Sequence, residues 1–256
     1  MAAPPDSDPA GPDAAKPALT VVPFEDGTGR IGIAPGWHAQ KLGEGSAILM
    51  RPDGARVMMG VGVYALDPNG STYRMYQQMY STTGVAPSAG LVVPHDANPA
   101  RAFVAVNRAI AVQSGRPDPQ TRVESSQPLD PFPGGVAAYI DATTLPNATP
   151  MRVRGNVFVL DPSPDGGWSI TVNLVSAPEA TFPQDEPVLL AMFGSYVLDV
   201  EARRKQSAEA QAALAAKATG ENQKTFNTSM TGAHAAQMRI DKSTTDFIHG
   251  MFHSDV

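Results

Sequence analysis

The apolar positions of this chain change period several times, and those changes lay out its elements. Trp168, Ile170, Val172 and Leu174 alternate with Ser169, Thr171 and Asn173. A period of two is that of a strand with one buried face. A turn-rich run over 176–185 follows. Leu189, Met192, Phe193, Tyr196 and Val200 then recur at the three-and-four spacing of a helix that buries one side. Upstream, Val57, Met59, Val61 and Val63 alternate within a strand over 56–66, and shorter strands are predicted over 30–34 and 47–50. Arg51-Pro52-Asp53-Gly54 is a turn by its chemistry, because Pro52 presets φ and Asp53-Gly54 tolerates positive φ. Pro35-Gly36 closes the strand over 30–34 and places Trp37 over an edge of the core.

Asn98-Pro99 supplies a cap and a first-turn proline. Phe103, Val106 and Ile110 follow at helical spacing until Gly115. Residues 121–127, 136–144 and 151–160 read as strands, and the Asp161-Pro-Ser-Pro-Asp-Gly-Gly167 run is a hairpin turn back to Trp168. Strands joined by short turns predict a mostly antiparallel sheet with helices gathered on one side, an α+β class. The chain divides into a Pro/Ala-rich arm (1–19), an α+β domain (20–200) and a helical extension (201–256), with the helix over 189–200 running on into that extension.

Residues 67–98 have the least clear period. Tyr73, Tyr76 and Tyr80 sit at helical spacing, and Met75 and Met79 are four apart. One reading is a short helix or ordered loop packed on the body, since methionine fills irregular gaps. The other is a small-ligand or soft-metal loop, although two methionines without a nearby histidine are few for copper.

Past Val200, Glu201 and Lys205 are spaced to pair, and only Leu214 is large and apolar before residue 217. Further on, Phe226, Ala233, Ile240 and Phe247 are seven apart, with a second row at Met230, Gln237, Thr244 and Met251. Gly232 and Gly250 interrupt it, so a free coiled coil would be marginal. The row is better used by docking on the fold's own surface or on another subunit. Phe226, Met230, Ile240, Phe247 and Met251 are therefore the expected partner-binding residues, and the partner is a second copy or another protein. His249 and His253 share a helical face at the spacing of two metal ligands, without the glutamate of the zinc-protease pattern. They are the candidate metal ligands, and frayed terminal histidines are the commoner case.

Composition narrows the function. The net charge of −6 argues against a nucleic-acid surface. No run of about 18 apolar residues exists to span a membrane. The absence of cysteine removes disulfides, thiolate metal sites and cysteine nucleophiles together. There is no Gly-x-Ser-x-Gly elbow, phosphate-cradling loop or dinucleotide fingerprint, and His38 and His95 lie in turn regions without a local partner pattern. No catalytic residue and no cofactor is assigned, and the expectation is a non-enzyme. The arm over 1–19 reads as a linker left by a removed export signal, placing the protein outside the cell or in a periplasm, or as a flexible cytoplasmic terminus.

Two stretches resemble a known family. Gly29-Arg30-Ile31-Gly32-Ile33-Ala34-Pro35-Gly36-Trp37 resembles the opening strand and Gly-Trp turn of PsbP-like domains. Ser176-Ala177-Pro178-Glu179-Ala180-Thr181-Phe182, leading into 188–198, resembles their closing turn and last helix. The resemblance implies an α/β/α sandwich over about two thirds of the chain, with 67–98 as an insertion. The family includes photosystem-associated proteins and many bacterial proteins of unknown role, generally non-enzymatic, and no family metal site carries over. The expected function is an exported, non-catalytic binding or assembly module whose helical tail mediates self-association or partner docking. The alternative is a secreted small-ligand or metal-binding protein using the Tyr/Met loop or the terminal histidines.

Overall fold

The computed structural model describes residues 17–84, 90–146 and 149–217. Its spine is β10 (Gly167–Pro178), which pairs antiparallel with β5 (Arg56–Leu66) on one side and β9 (Met151–Leu160) on the other. Beyond β9 lie β8 (Gly135–Thr144) and the edge strand β7 (Arg122–Pro128). Beyond β5 lie β4 (Ser46–Met50) and the other edge, β3 (His38–Gly43). The two-residue β6 (Leu91–Val92) runs parallel to the end of β5. A second, three-stranded sheet has the order β1 (Thr20–Pro23), β2 (Gly29–Ile33), β11 (Val197–Leu198). The class is α+β and mostly antiparallel.

The alternation along β10 decides which layer lies on which face. Trp168, Ile170 and Leu174 are buried with Ile140, Val153, Val157 and Val159 beneath α2 (Pro99–Gln113), which supplies Ala102 and Val106. Val175 and Ala177 point the other way. They join Val57, Met59 and Leu49 beneath α3 (Phe182–Gly194), whose Phe182, Leu189, Met192 and Phe193 also meet Ile31 and Leu198 of the small sheet. Helices therefore flank both faces of the sheet. The expectation that they gather on one side is overturned, and the sandwich implied by the family resemblance describes the layering. Short turns set strand direction, but they leave the choice of face to the longer crossovers.

A bulge in β5 shapes the middle of the sheet. Gly60 has φ +61, and a Cβ there would stand 2.2 Å from the Gly45 carbonyl oxygen. Only glycine tolerates both constraints. The Gly60 N–H donates to Asn173 Oδ1 at 2.6 Å, and the Tyr196 hydroxyl donates to the Gly45 carbonyl at 2.7 Å.

The closing helix departs from expectation. Its spacing extends to Tyr196 and Val200, but α3 ends at Gly194 and the chain then pairs with β2, Val197 opposite Arg30 and Leu198 opposite Gly29. Ser195 Oγ accepts from the Gly32 N–H at 2.7 Å and donates to the Met192 carbonyl at 2.6 Å, tying the helix end to the small sheet. A separate helix, α4 (Val200–Lys217), begins after Asp199, whose carboxylate accepts from the Ala202 N–H at 2.9 Å as an N-cap. The apolar spacing carried past the break because Tyr196 and Val200 meet the same core from outside α3. The segment from His38 is strand β3, not a turn, and its exposed side chains hid the pattern.

Candidate interaction surfaces

The polar side chains inside the body are largely spent on one another. Asp141, opposite Arg154 on neighbouring strands, accepts from Arg152 Nε at 2.5 Å and Nη2 at 2.6 Å, and from Arg154 Nε at 2.9 Å. Arg154 also pairs with Glu186 of α3 and lies over the Phe182 ring at 5.1 Å. Burial pushes the Asp141 carboxyl up, but the bonds from the two arginines outweigh it and hold the group below the usual carboxylate range. On the other side of α3, Arg51 bridges Asp185 (2.7 Å) and Asp53, with its guanidinium 5.5 Å from the centre of the Trp37 ring. The Arg51 bonds keep Asp185 low against its burial. These pairs fasten α3 to the sheet.

Asp26 does the same for α4. It accepts from Thr28 N (3.0 Å), Thr28 Oγ1 (2.6 Å), Glu44 N and Gln206 Nε2 (3.2 Å), so one carboxylate gathers two turns and α4. Burial pushes its carboxyl up, and these donors more than offset that, lowering it to about 2. Behind them, Asn156 and Asn173 sit opposite each other on β9 and β10, both fully buried. Neither amide atom of Asn156, nor Nδ2 of Asn173, has a hydrogen-bond partner.

Two helices turn apolar side chains outward. The first is α1 (Ser71–Thr83), within the stretch that the sequence leaves least defined. It is held at its N-terminus: the Thr72 N–H donates to the Asp165 carbonyl at 3.1 Å, and Gly70 packs so closely on Gly166 that a Cβ would fall 2.7 Å from the Gly166 Cα. None of its residues is buried. Met75, Met79 and Tyr80 are 46–49% exposed, and Tyr64 of β5 is 46% exposed. The segment is a short helix, as one of the two readings has it, with Tyr73 and Tyr76 half-buried and the methionines left outside. The turn between β9 and β10 captures the helix start.

The second is α2. Asn98 caps it by accepting from the Arg101 N–H at 3.1 Å, and Pro99 takes the first turn, as the sequence predicts. Its outer side lines an apolar groove of ≈ 700 Å³ together with Val92, Val93 and Pro94. Arg101 and Arg108 stand in this lining, paired with Asp96 at 2.6 Å and Asp118 at 3.1 Å. The signal was present in the sequence. Ala100, Val104, Ala105, Ala109 and Val112 make the helix apolar on nearly every side, which is the composition of a covered helix.

Of the two histidines that the sequence leaves without a partner pattern, His38 begins β3, and His95 stacks edge-on against Trp168 at 5.4 Å while its backbone N–H donates to Asp67 Oδ2 at 2.8 Å. Among the described residues no group of three or more histidine, aspartate or glutamate side chains is placed to hold a metal ion. None of their helices is long and apolar enough to cross a membrane. Phe226, Met230, Ile240, Phe247 and Met251, and His249 and His253, lie outside the described residues, as do residues 1–16 of the arm.

The sequence matches no protein-family model and no curated protein at a significant level. Comparison with solved structures finds similarity to the cyanobacterial PsbP (CyanoP) of Synechocystis, at 10% identity and TM-score 0.32, over 74% of this chain and 98% of that one. The Ran-binding protein Mog1p of Saccharomyces cerevisiae matches at 8% identity and TM-score 0.31, over 71% and 97%. A Pseudomonas aeruginosa protein of unknown function, PA94, described as a putative regulator, matches at 9% and 0.24, over 66% and 90%. At these values the likeness concerns fold alone.

Proposed function

We propose that this protein is a non-catalytic binding or assembly module, exported from the cell interior, whose C-terminal extension (201–256) joins it to a second copy or to another protein. The observation that carries the reading is the outer side of α2, an apolar surface on a body whose cores are otherwise closed by α2, α3 and two sheets. An apolar groove rimmed by charge is the anatomy of a protein contact. The contact residues on the extension are Phe226, Met230, Ile240, Phe247 and Met251. Light scattering on the full chain and on a chain ending at Thr219 tests it. The expected result is a folded truncated chain with a lower assembled mass, and an equal mass per chain would overturn the role of the tail.

The exposed Met75, Met79 and Tyr80 stripe favours a second reading, a small-ligand or soft-metal protein. Calorimetry of the full chain with copper and with haem decides it, since absence of heat with both would end that reading.

A further inference from the structure

We propose that the outer side of α2 is the seat of the C-terminal segment, residues 220–256, of a second copy of this chain. The proposal rests on the assembly reading above and adds where the tail lands.

At 100° per residue, Ala102, Val106 and Ile110 turn toward the sheet with Ala100, Ala105 and Ala109 packed beside them, and Val104 and Val112 turn away from it. Val112 is 65% exposed. In a helix of 15 residues the polar side chains are Arg101, Asn107, Arg108 and Gln113. Asn107 bonds Thr121 at 2.7 Å, and the two arginines pair with Asp96 and Asp118 with their side chains 70% and 69% exposed, so they form the wet rim of the groove and its floor is left to apolar side chains. That floor is made of small side chains, Ala100, Ala105 and Ala109, between Val93 and Val104. Small residues let another helix or an extended segment approach closely, and large apolar side chains would fill the volume.

The chain itself supplies such an occupant. Phe226, Ala233, Ile240 and Phe247 recur every seven residues, with Met230 and Met251 in the companion row. A row of this period lies along one side of a helix and is narrow enough for a single groove.

The route favours another copy over the same one. The start of α4 lies on the α3 side of the sheet, where Gln206 bonds Asp26, Arg203 approaches Gly45, and Ser207 is buried. α2 lies on the opposite face. Over its 18 residues α4 extends about 27 Å. A tail returning to its own α2 must turn round a sheet edge, whereas two copies exchanging tails close a two-fold pair with two identical contacts.

The natural lack of cysteine makes the test direct. Full-length Val112→Cys chains are mixed with full-length Ala233→Cys, Ile240→Cys or Phe247→Cys chains and treated with a short bis-maleimide. At least one mixture is expected to give a crosslinked heterodimer on a denaturing gel, beyond what either single variant gives alone. A double variant, Val104→Glu with Val112→Glu, is expected to weaken the dimer at least tenfold by light scattering while keeping the native circular dichroism. A chain carrying Val112→Cys together with Ile240→Cys is the control, and a crosslink formed only within single copies of it, with none in any mixture, would overturn the second-copy seat. A dimer by light scattering with no crosslink in any mixture would also overturn it, leaving the assembly reading standing. A monomer of the unsubstituted chain at every concentration would overturn both.

Discussion

The two helices that flank the central sheet, α3 and α2, have opposite relations to their composition. α3 lies between two sheets: β5 and β10 support one side, and β2 with β11 closes on another. Its apolar side chains are consumed, with Leu189 and Met192 fully buried, and Asp185 is bound to Arg51. α2 is also largely apolar, and its main contacts among the described elements are with β6, β7, β8 and β9 of the one sheet. A helix with an inner-layer composition in an outer-layer position is an unfinished contact. The small sheet completes α3 because residues 197–198 return to β2, and no described segment does the same for α2.

The comparison can be broken or sharpened by substitution. Leu189→Ala removes a fully buried side chain from the completed layer and should cost about 2–5 kcal/mol in denaturant unfolding. A cost under about 1 kcal/mol would mean that α3 is not the keystone described. Asp141→Asn leaves Arg152 and Arg154 without their common carboxylate and should cost about 1–3 kcal/mol. Restoring stability with a paired arginine substitution would show that the loss came from the orphaned charges.

The pH dependence follows with its sign. Asp141 and Asp185 both ionise below the ordinary carboxylate value in the folded protein, so folding favours their charged forms. Their stabilisation is present above about pH 4 and is lost as pH falls through the lowered folded-state values. Urea midpoints should therefore fall on acidification from pH 5 toward 3, and fall less in Asp185→Asn. An equal slope in the variant would remove Asp185 from the account.

Val112→Ala is the counterpart of Leu189→Ala. On a bare α2 it should change stability by less than about 0.5 kcal/mol. A loss of 1 kcal/mol or more that appears in the full chain and vanishes in the chain ending at Thr219 would show the face covered by the tail. The smallest effect is expected at Asn156, whose buried amide has no partner. Asn156→Leu should be neutral or raise the melting temperature by a few degrees, since it removes an unmet polar burial. A marked loss of stability would show that the amide is satisfied in solution.

Local pattern made much of the body legible. The strands over 56–66 and 151–160, the alternation from Trp168 to Leu174, and the Asn98-Pro99 start of α2 follow from side-chain period and capping chemistry within a few residues. The candidate surfaces were half legible. The methionines and tyrosines of α1 stood out, but nothing in their spacing says that Met75, Met79 and Tyr80 stay exposed while Tyr73 and Tyr76 are half-buried. The apolar girth of α2 was equally visible, and the sequence named only its inner residues, Phe103, Val106 and Ile110.

The sequence by itself determined where strands and helices form, because period, caps and turns act over a few neighbouring residues. Tertiary structure alone decided that the helices take opposite faces. It also ended α3 at Gly194 so that Val197 and Leu198 could pair with β2, about 165 residues earlier in the chain. Such a pairing joins strand edges far apart in sequence, and two residues are too few to carry a period of their own. The same long-range choice covered α3 on both sides and left the outer side of α2 open.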